Sequence, residues 1–349
     1  MLKVVLIFMM ISVHSQRLYF RSNMNKKIKT LVTGCAWFIG SNIVEKLLKE
    51  WYIVVGLDNL EYGHHKNIAE FIDHPNFIFY QGDIRDKEFL DGVFKKEACT
   101  HVCHQAARWS VPKSIVDPIL TNEENITGTL NLLWIAHIYH IEKFVCAISS
   151  SVYGDTPILP KIESMPYNPI SPYALTKVAK EMYCKLFYET YALPTIWLRY
   201  FNVYGKKQDP KGAYAAVIPR WIQSAVDNVS LELNGDGIQT RDFTYIDDVV
   251  DANILALFTQ NTEAFWKGFN ICFGQRTYIR DLAQTILTLT HSHATIQQVE
   301  WRKGDIQDSL WDYTLASTLF GYAPKIDMQT GIDKTIAWYR ENKDYFLTA

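Results

Sequence analysis

From residue 28 onward, short apolar runs alternate with longer stretches of helical periodicity. KTLVTG reads as a short strand, SNIVEKLLKE as an amphipathic helix, and IVVGLDN as a buried strand ending in an acid. NFIFYQGDI, THVCHQAA, EKFVCAISS and PTIWLRYFNV add strands rich in β-branched and aromatic residues. NITGTLNLLWIAHIYH and YALTKVAKEMYCKLFYETY supply helices between them. Strands that alternate with helices predict an α/β fold, a doubly wound parallel sheet with right-handed crossovers covered on both faces. After about residue 205 the rhythm changes. KKQDPKGAYAAVIPRW, NGDGIQTRDF and WRKGDIQDSLWD are loop-rich and carry polar groups suited to an anionic ligand. They predict a smaller C-terminal lobe over the carboxyl ends of the strands. The expected division is an extension over 1–27, a dinucleotide-binding domain of Rossmann type over 28–205, and a substrate-binding lobe over 206–349 with some segments returning to the sheet.

The extension changes the picture little. MLKVVLIFMMISVHSQ resembles a short signal-peptide core but is shorter than the about 20 apolar residues of a spanning helix. Met24 offers a second start, since MNKKIKTLVTG runs straight into the first strand, and the expectation is a cytoplasmic protein without stable membrane insertion. A chain of 349 residues, 48% hydrophobic and 21% charged, can bury a large core. Its net charge of −2 gives no bulk attraction to nucleic acid. The six cysteines, at 35, 99, 103, 146, 184 and 272, sit mostly inside apolar runs, as reduced core residues do. Cys99, His101, Cys103 and His104 crowd one strand, but alternate residues face opposite ways there and no second ligand cluster accompanies them, so no metal is expected.

Two stretches carry chemistry. In LVTGCAWFIGSNIVEKLL, Gly34 permits a tight turn, Gly40 allows helix and strand to pack, and the helix N-terminus would face a pyrophosphate. Asp58 follows Gly40 by 18 residues, where an acid accepts hydrogen bonds from a ribose 2′-OH and repels a 2′-phosphate, favouring NAD over NADP. Tyr173 and Lys177 in SPYALTK stand four apart and share one helix face. A phenol has an ordinary pKa of about 10, and a neighbouring ammonium favours its phenolate as a base. Ser149, Ser150 and Ser151, ending the FVCAI strand, could hold a reacting sugar oxygen against Tyr173.

TGCAWFIG, LDN, GDIRD, SSSVYGD, SPYALTK, LRYFNVYG, RDFTYIDDV and KGD appear in order from about residue 28 to 340. The chain thereby resembles the extended short-chain dehydrogenases/reductases, specifically the nucleotide-sugar 4-epimerases. HQAARWSVPKSI, KKQDPKGAYAAVIPRW and GDIQDSL are similar to the bacterial UDP-N-acetylglucosamine 4-epimerase group. The resemblance implies bound NAD, a UDP-sugar substrate, a homodimer, and C4 epimerisation through a 4-keto sugar with Ser149, Tyr173 and Lys177 catalytic. For the cofactor it implies Gly34, Phe38, Ile39, Gly40, Asp58, Asn59, Gly63, Asp83, Ile84, Gln105, Ala106, Ala107, Asn125, Tyr173, Lys177, Tyr200 and Val203. For the substrate it implies Ser110, Ser149, Ser150, Ser151, Tyr173, Asn202, Gln208, Ala216, Val217, Arg241, Arg302, Asp305 and Ser309. Related dehydratases carry an acidic pair just after the catalytic serine, whereas SSSVYG has none. Ser309 stands where galactose-specific relatives carry a tyrosine, leaving room for a C2 N-acetyl group on UDP-GlcNAc, UDP-GalNAc or their uronic acid forms. Three tryptophans depart from the pattern: Trp37 for the middle glycine of the loop, Trp109 beside the nicotinamide and sugar, and Trp311 near the uridine loop. They keep open a second reading, a non-catalytic nucleotide-sugar-binding homologue, beside another epimerase or reductase of the family.

Overall fold

The computed structural model describes residues 28–211, 215–300 and 307–342. Its centre is a seven-stranded parallel sheet made of β1 (Lys29–Thr33), β2 (Ile53–Asp58), β3 (Phe77–Gln81), β4 (His101–His104), β5 (Lys143–Ser149), β6 (Thr195–Tyr200) and β7 (Lys267–Ile271). The spatial order is β3-β2-β1-β4-β5-β6-β7. The chain winds outward from β1 to β3, then crosses back to place β4 on the other side of β1. The carboxyl ends of β1 and β4 therefore flank the crevice where such sheets bind ligands.

The helices are α1 (Phe38–Lys49), α2 (Lys87–Glu97), α3 (Val111–Val116), α4 (Pro118–Asn122), α5 (Gly128–Ile138), α6 (Pro172–Tyr191), α7 (Val217–Val226), α8 (Ile246–Phe258), α9 (Ile279–Thr290), α10 (Thr314–Phe320) and α11 (Met328–Glu341). Alternation along the strands builds two cores. Val32, Val54, Cys103, Val145 and Ile196 face one layer with α1 and α8, while Leu31, Val55, Val102, Phe144 and Trp197 face the other with α2, α5 and α6. Every residue of β4 and β6 is buried, which is why those strands read as continuous apolar runs.

β7 comes from beyond residue 205 and pairs with β6, Lys267 opposite Ile196 through Ile271 opposite Tyr200. α8 packs on α1, so the C-terminal third is built into both the edge and one face of the sheet. Between α4 and α5 the helix widens into a π turn over Glu123–Thr127, a distortion frequent at functional sites. All six cysteines are unpaired and buried. No helix among the described residues is long and apolar enough to cross a membrane.

Candidate active site

The turn after β1 is closely packed. Gly34 has φ +69°, donates its N–H to Leu57 O at 2.8 Å, and lies so close to the β4 loop that a Cβ would meet Ala106 N at 2.8 Å. A Cβ on Gly40 would stand 2.0 Å from Gly34 O. α1 begins at Phe38 with Trp37 as its N-cap, and no side chain caps the first turn. The N–H groups of Phe38 and Ile39 are therefore left for an anion.

Asp58 is buried at the end of β2. Its carboxylate accepts from Ala36 N–H and Leu60 N–H, each at 2.9 Å. Burial raises its pKa, and those two donors oppose the shift. Gly63 folds over it, with space for no side chain, since a Cβ would lie 2.5 Å from Oδ1. Asn59 donates to Asp83 at 3.0 Å. Burial works against the Asp83 anion, but the Arg85 fork, at 3.0 and 2.7 Å, holds its carboxyl down to about 2. A groove joins Gly34, Asp58, Asn59, Gly63, Asp83 and Ile84 to Gln105, Ala106 and Ala107 of the β4 loop. An uncapped helix N-terminus, glycines without room for a Cβ, and an acid fixed by backbone amides fit the diphosphate and adenosine of a dinucleotide.

Asn125 sits buried on the π turn. Its side chain accepts from Arg108 N–H at 2.7 Å and donates to Arg108 O and Thr176 Oγ1, both at 3.0 Å. It thereby ties the β4–α3 loop to α6. Tyr200 likewise spans the sheet, its hydroxyl 3.1 Å from Gln105 Oε1 and 2.9 Å from Asn253 Oδ1. Val203 lies half-buried beside Gln208, whose Nε2 donates to Val203 O at 3.1 Å.

The three residues expected to be catalytic, Ser149, Tyr173 and Lys177, meet at the carboxyl end of β5. Ser171 caps α6 by accepting from Ala174 N–H at 3.1 Å, Pro172 fixes the first turn, and Ser114 accepts from Tyr173 N–H at 3.1 Å. Ser149 lies close enough to the Tyr173 side chain to favour its phenolate, and Ser149 Oγ accepts from Ser151 N–H at 3.2 Å. Lys177 Nζ lies 5.5 Å from the Tyr173 ring centre and donates to Ala147 O at 3.4 Å. Burial raises the phenol pKa, opposed by Ser149 and by the charge of Lys180. Burial lowers Lys177 to about 8, with Cys146 opposing. Ser150 and Ser151 form the turn after Ser149, and Ser151 Oγ is buried without a partner.

Lys180 was not singled out in the sequence. It is fully buried one turn beyond Lys177, and its ammonium has no hydrogen-bond partner. Its spacing, seven from Tyr173, puts it on the same face. Arg108, Tyr62 and Glu124 also escaped notice. Arg108 donates to Tyr62 OH at 2.9 Å and stands 3.6 Å from Glu124, bracing the rim of the groove.

Around the substrate end, Asn202 donates to Asp242 O at 2.8 Å, Arg241 donates to Thr240 O at 2.8 Å, and Ser309 Oγ donates to the same Thr240 oxygen at 2.9 Å. Asn202, Arg241 and Ser309 are thereby gathered on one short segment. Ser110 caps α3 through Lys113 N–H at 3.3 Å, and Ala216 and Val217 open α7. Arg302 and Asp305 lie outside the described residues.

The tryptophans separate into two kinds. Trp311 is buried against Phe201, ring centres 4.2 Å apart, and serves the core rather than a binding loop. Trp37 and Trp109 both line the groove and stack on each other at 6.1 Å and 19°, and the His64 ring lies 5.8 Å from Trp37, tilted by 51°.

The model of the NAD dependent epimerase/dehydratase family matches residues 30–272. A putative UDP-glucose 4-epimerase of Methanocaldococcus jannaschii is 39% identical over 313 residues, which covers 89% of this chain and 98% of the relative. A human dTDP-D-glucose 4,6-dehydratase is 33% identical, covering 90% of both chains. Among solved structures, a UDP-N-acetylglucosamine 4-epimerase of Methanobrevibacter ruminantium in complex with UDP-N-acetylmuramic acid superposes with a TM-score of 0.84 at 33% identity, covering 91% of this chain and 99% of that one.

Proposed function

The chain belongs to the NAD dependent epimerase/dehydratase family, and from that premise we propose that it is a UDP-sugar 4-epimerase acting on a UDP-N-acetylhexosamine: UDP-GlcNAc and UDP-GalNAc, or their uronic acid forms. The observation that carries the reading is Tyr173 with Lys177 Nζ 5.5 Å from its ring centre and Ser149 near enough to favour its phenolate. Tyr173 takes the proton of the sugar's C4 hydroxyl and later returns one, while Ser149 holds that oxygen in place. Lys177 favours the phenolate that this task requires. Bound NAD, held by the α1 N-terminus, Asp58 and the Gly63 loop, supplies a reversible hydride acceptor. Inversion follows when the 4-keto sugar presents its other face.

Two features favour epimerisation of an N-acetyl sugar over water loss from another one. Ser149 is followed by Ser150 and Ser151 rather than by an acidic pair that would move protons to and from neighbouring carbons. Ser309 is a small residue, held to Thr240, at the position where galactose-specific relatives carry the bulkier tyrosine. A second reading, nucleotide-sugar binding without turnover, draws on the Trp37–Trp109 stack in the cofactor groove.

The same reading makes the protein a cytoplasmic homodimer. Leu175, Met182 and Leu186 form an exposed stripe on α6, and Ile115, Val116 and Ile119 expose apolar side chains on the adjacent α3 and α4. Six reduced cysteines suit a reducing compartment. Proton NMR of UDP-GlcNAc incubated with the full chain and NAD+ tests the activity. The anomeric signal of UDP-GalNAc is expected. Conversion of UDP-glucose alone would refute the N-acetyl preference, and a 6-deoxy-4-keto product would refute epimerisation.

A further inference from the structure

Trp37 and Trp109 are 72 positions apart in sequence and line the cofactor groove from two different segments. Trp37 sits at the α1 N-terminus, and Trp109 sits on the β4–α3 loop. Their rings are nearly parallel, 19° and 6.1 Å apart. A dinucleotide with its ribose at Asp58 and its pyridinium at Tyr173 must carry its diphosphate past the first turn of α1, and so past this pair.

The backbones behind the rings are fixed. Trp37 N–H donates to Gly34 O at 3.2 Å, Trp37 O accepts from Ser41 N–H at 2.9 Å, and Ala36 O accepts from His64 N–H at 2.9 Å. On the other segment, Asn125 holds both backbone groups of Arg108, and Ser110 caps α3. The freedom that remains is in the two side chains. Trp109 is 38% exposed and Trp37 is half-buried, so the indoles can part toward solvent without moving either loop. An aromatic pair of this kind is worth a factor of about 2 to 12 in an equilibrium. That is enough to hold the groove shut most of the time and too little to seal it.

We propose that Trp37 and Trp109 form a side-chain clasp that opens to admit NAD and closes again to retain it. The proposal rests on the reading of the groove as an NAD site. It gives the two indoles one shared role in place of two independent obstructions. An enzyme that borrows a hydride and returns it to the same sugar gains from slow cofactor release.

Cofactor exchange in the full-length protein tests this without reference to turnover. Cofactor is stripped, NADH is added, and energy transfer from tryptophan to the dihydronicotinamide is followed by stopped flow, with bound nucleotide quantified by chromatography. Trp109→Ala and Trp37→Ala should each release NADH about tenfold faster, Trp109→Phe should stay near the parent rate, and the double variant should be no faster than either single one. Unchanged release in the single variants, or additive increases in the double variant, would overturn the clasp while leaving the NAD site intact. Binding by Trp109→Ala but not by the parent would make the pair a plug and overturn the clasp in another way. Binding by neither would overturn the NAD reading itself, and the clasp with it.

Discussion

Lys180→Met removes a buried charge from beneath Tyr173 and Lys177. The side chain is fully buried in α6 and its ammonium has no hydrogen-bond partner. Burial lowers its pKa to about 8, the Cys146 thiol opposes that shift, and Lys177 adds to it. A lysine in the unfolded chain titrates near 10.4. The folded state therefore binds the proton less well, and the unfolded chain holds more protons between about pH 8 and 10.4. Stability rises with pH across that window. Below it, folding bears the full cost of the charge, on the order of 3 kcal/mol at 1.36 kcal/mol per pKa unit. Methionine keeps the unbranched stem and drops the charge. The variant should be more stable than the parent at pH 7, by about 1–3 kcal/mol once imperfect repacking is included. The difference should vanish near pH 10.5. Urea unfolding at pH 7, 8.5 and 10 measures it. The same substitution removes a cation that favours the Tyr173 phenolate, so the acid limb of the kcat profile should move to higher pH. A variant less stable at pH 7, or a stability difference that ignores pH, would refute the reasoning.

Tyr173→Phe should reduce turnover by about 10²–10⁴-fold while UDP-sugar affinity, measured by calorimetry, stays within a factor of about two; persistent turnover would remove Tyr173 as the base. Gly40→Ala puts a Cβ 2.0 Å from Gly34 O, a backbone atom that cannot swing away. Overpacking of this kind costs about 1–3 kcal/mol, and NAD content after purification should fall with the urea midpoint; an unchanged midpoint would mean the turn yields freely. Asp58→Ala deletes the acceptor for Ala36 N–H and Leu60 N–H, a loss on the order of 2 kcal/mol. It also removes the anion facing a 2′-phosphate, so discrimination between NAD and NADP should shrink, and undiminished discrimination in a binding titration would reassign that role.

The sheet was legible where burial on both faces leaves an unbroken apolar signature, as in FVCAI and TIWLRY. It was not legible at β7, because KGFNI mixes lysine, glycine and asparagine and gains its strand identity only by pairing with β6. The helix of the first loop was read from Ser41 but begins at Phe38, since Trp37 and two glycines mask its first turn. Ser149, Tyr173 and Lys177 were readable because spacing along one helix and one strand end is a local property. Lys180 was not, because a lysine one turn further on reads as a solvated face until tertiary packing buries it. The bracing of Arg108 by Tyr62, Asn125 and Glu124, and the contact between Trp37 and Trp109, depend on loops brought together by the sheet and leave no mark on local pattern.

The pairing of β7 with β6 also sets an order of events during synthesis. The ribosome delivers the chain from its N-terminus, and the partner of β6 is not available until residue 271 of 349 has been made. Until then a nascent chain carries six strands with the outer edge of β6 bare, its amides and carbonyls open to pairing with another polypeptide. The apolar side chains of Ile196 and Leu198, buried in the finished protein, wait with it. Vectorial folding can thus assemble the first strands early, yet the sheet closes only late, and holdase chaperones are of most use in the interval between the emergence of β6 and that of β7.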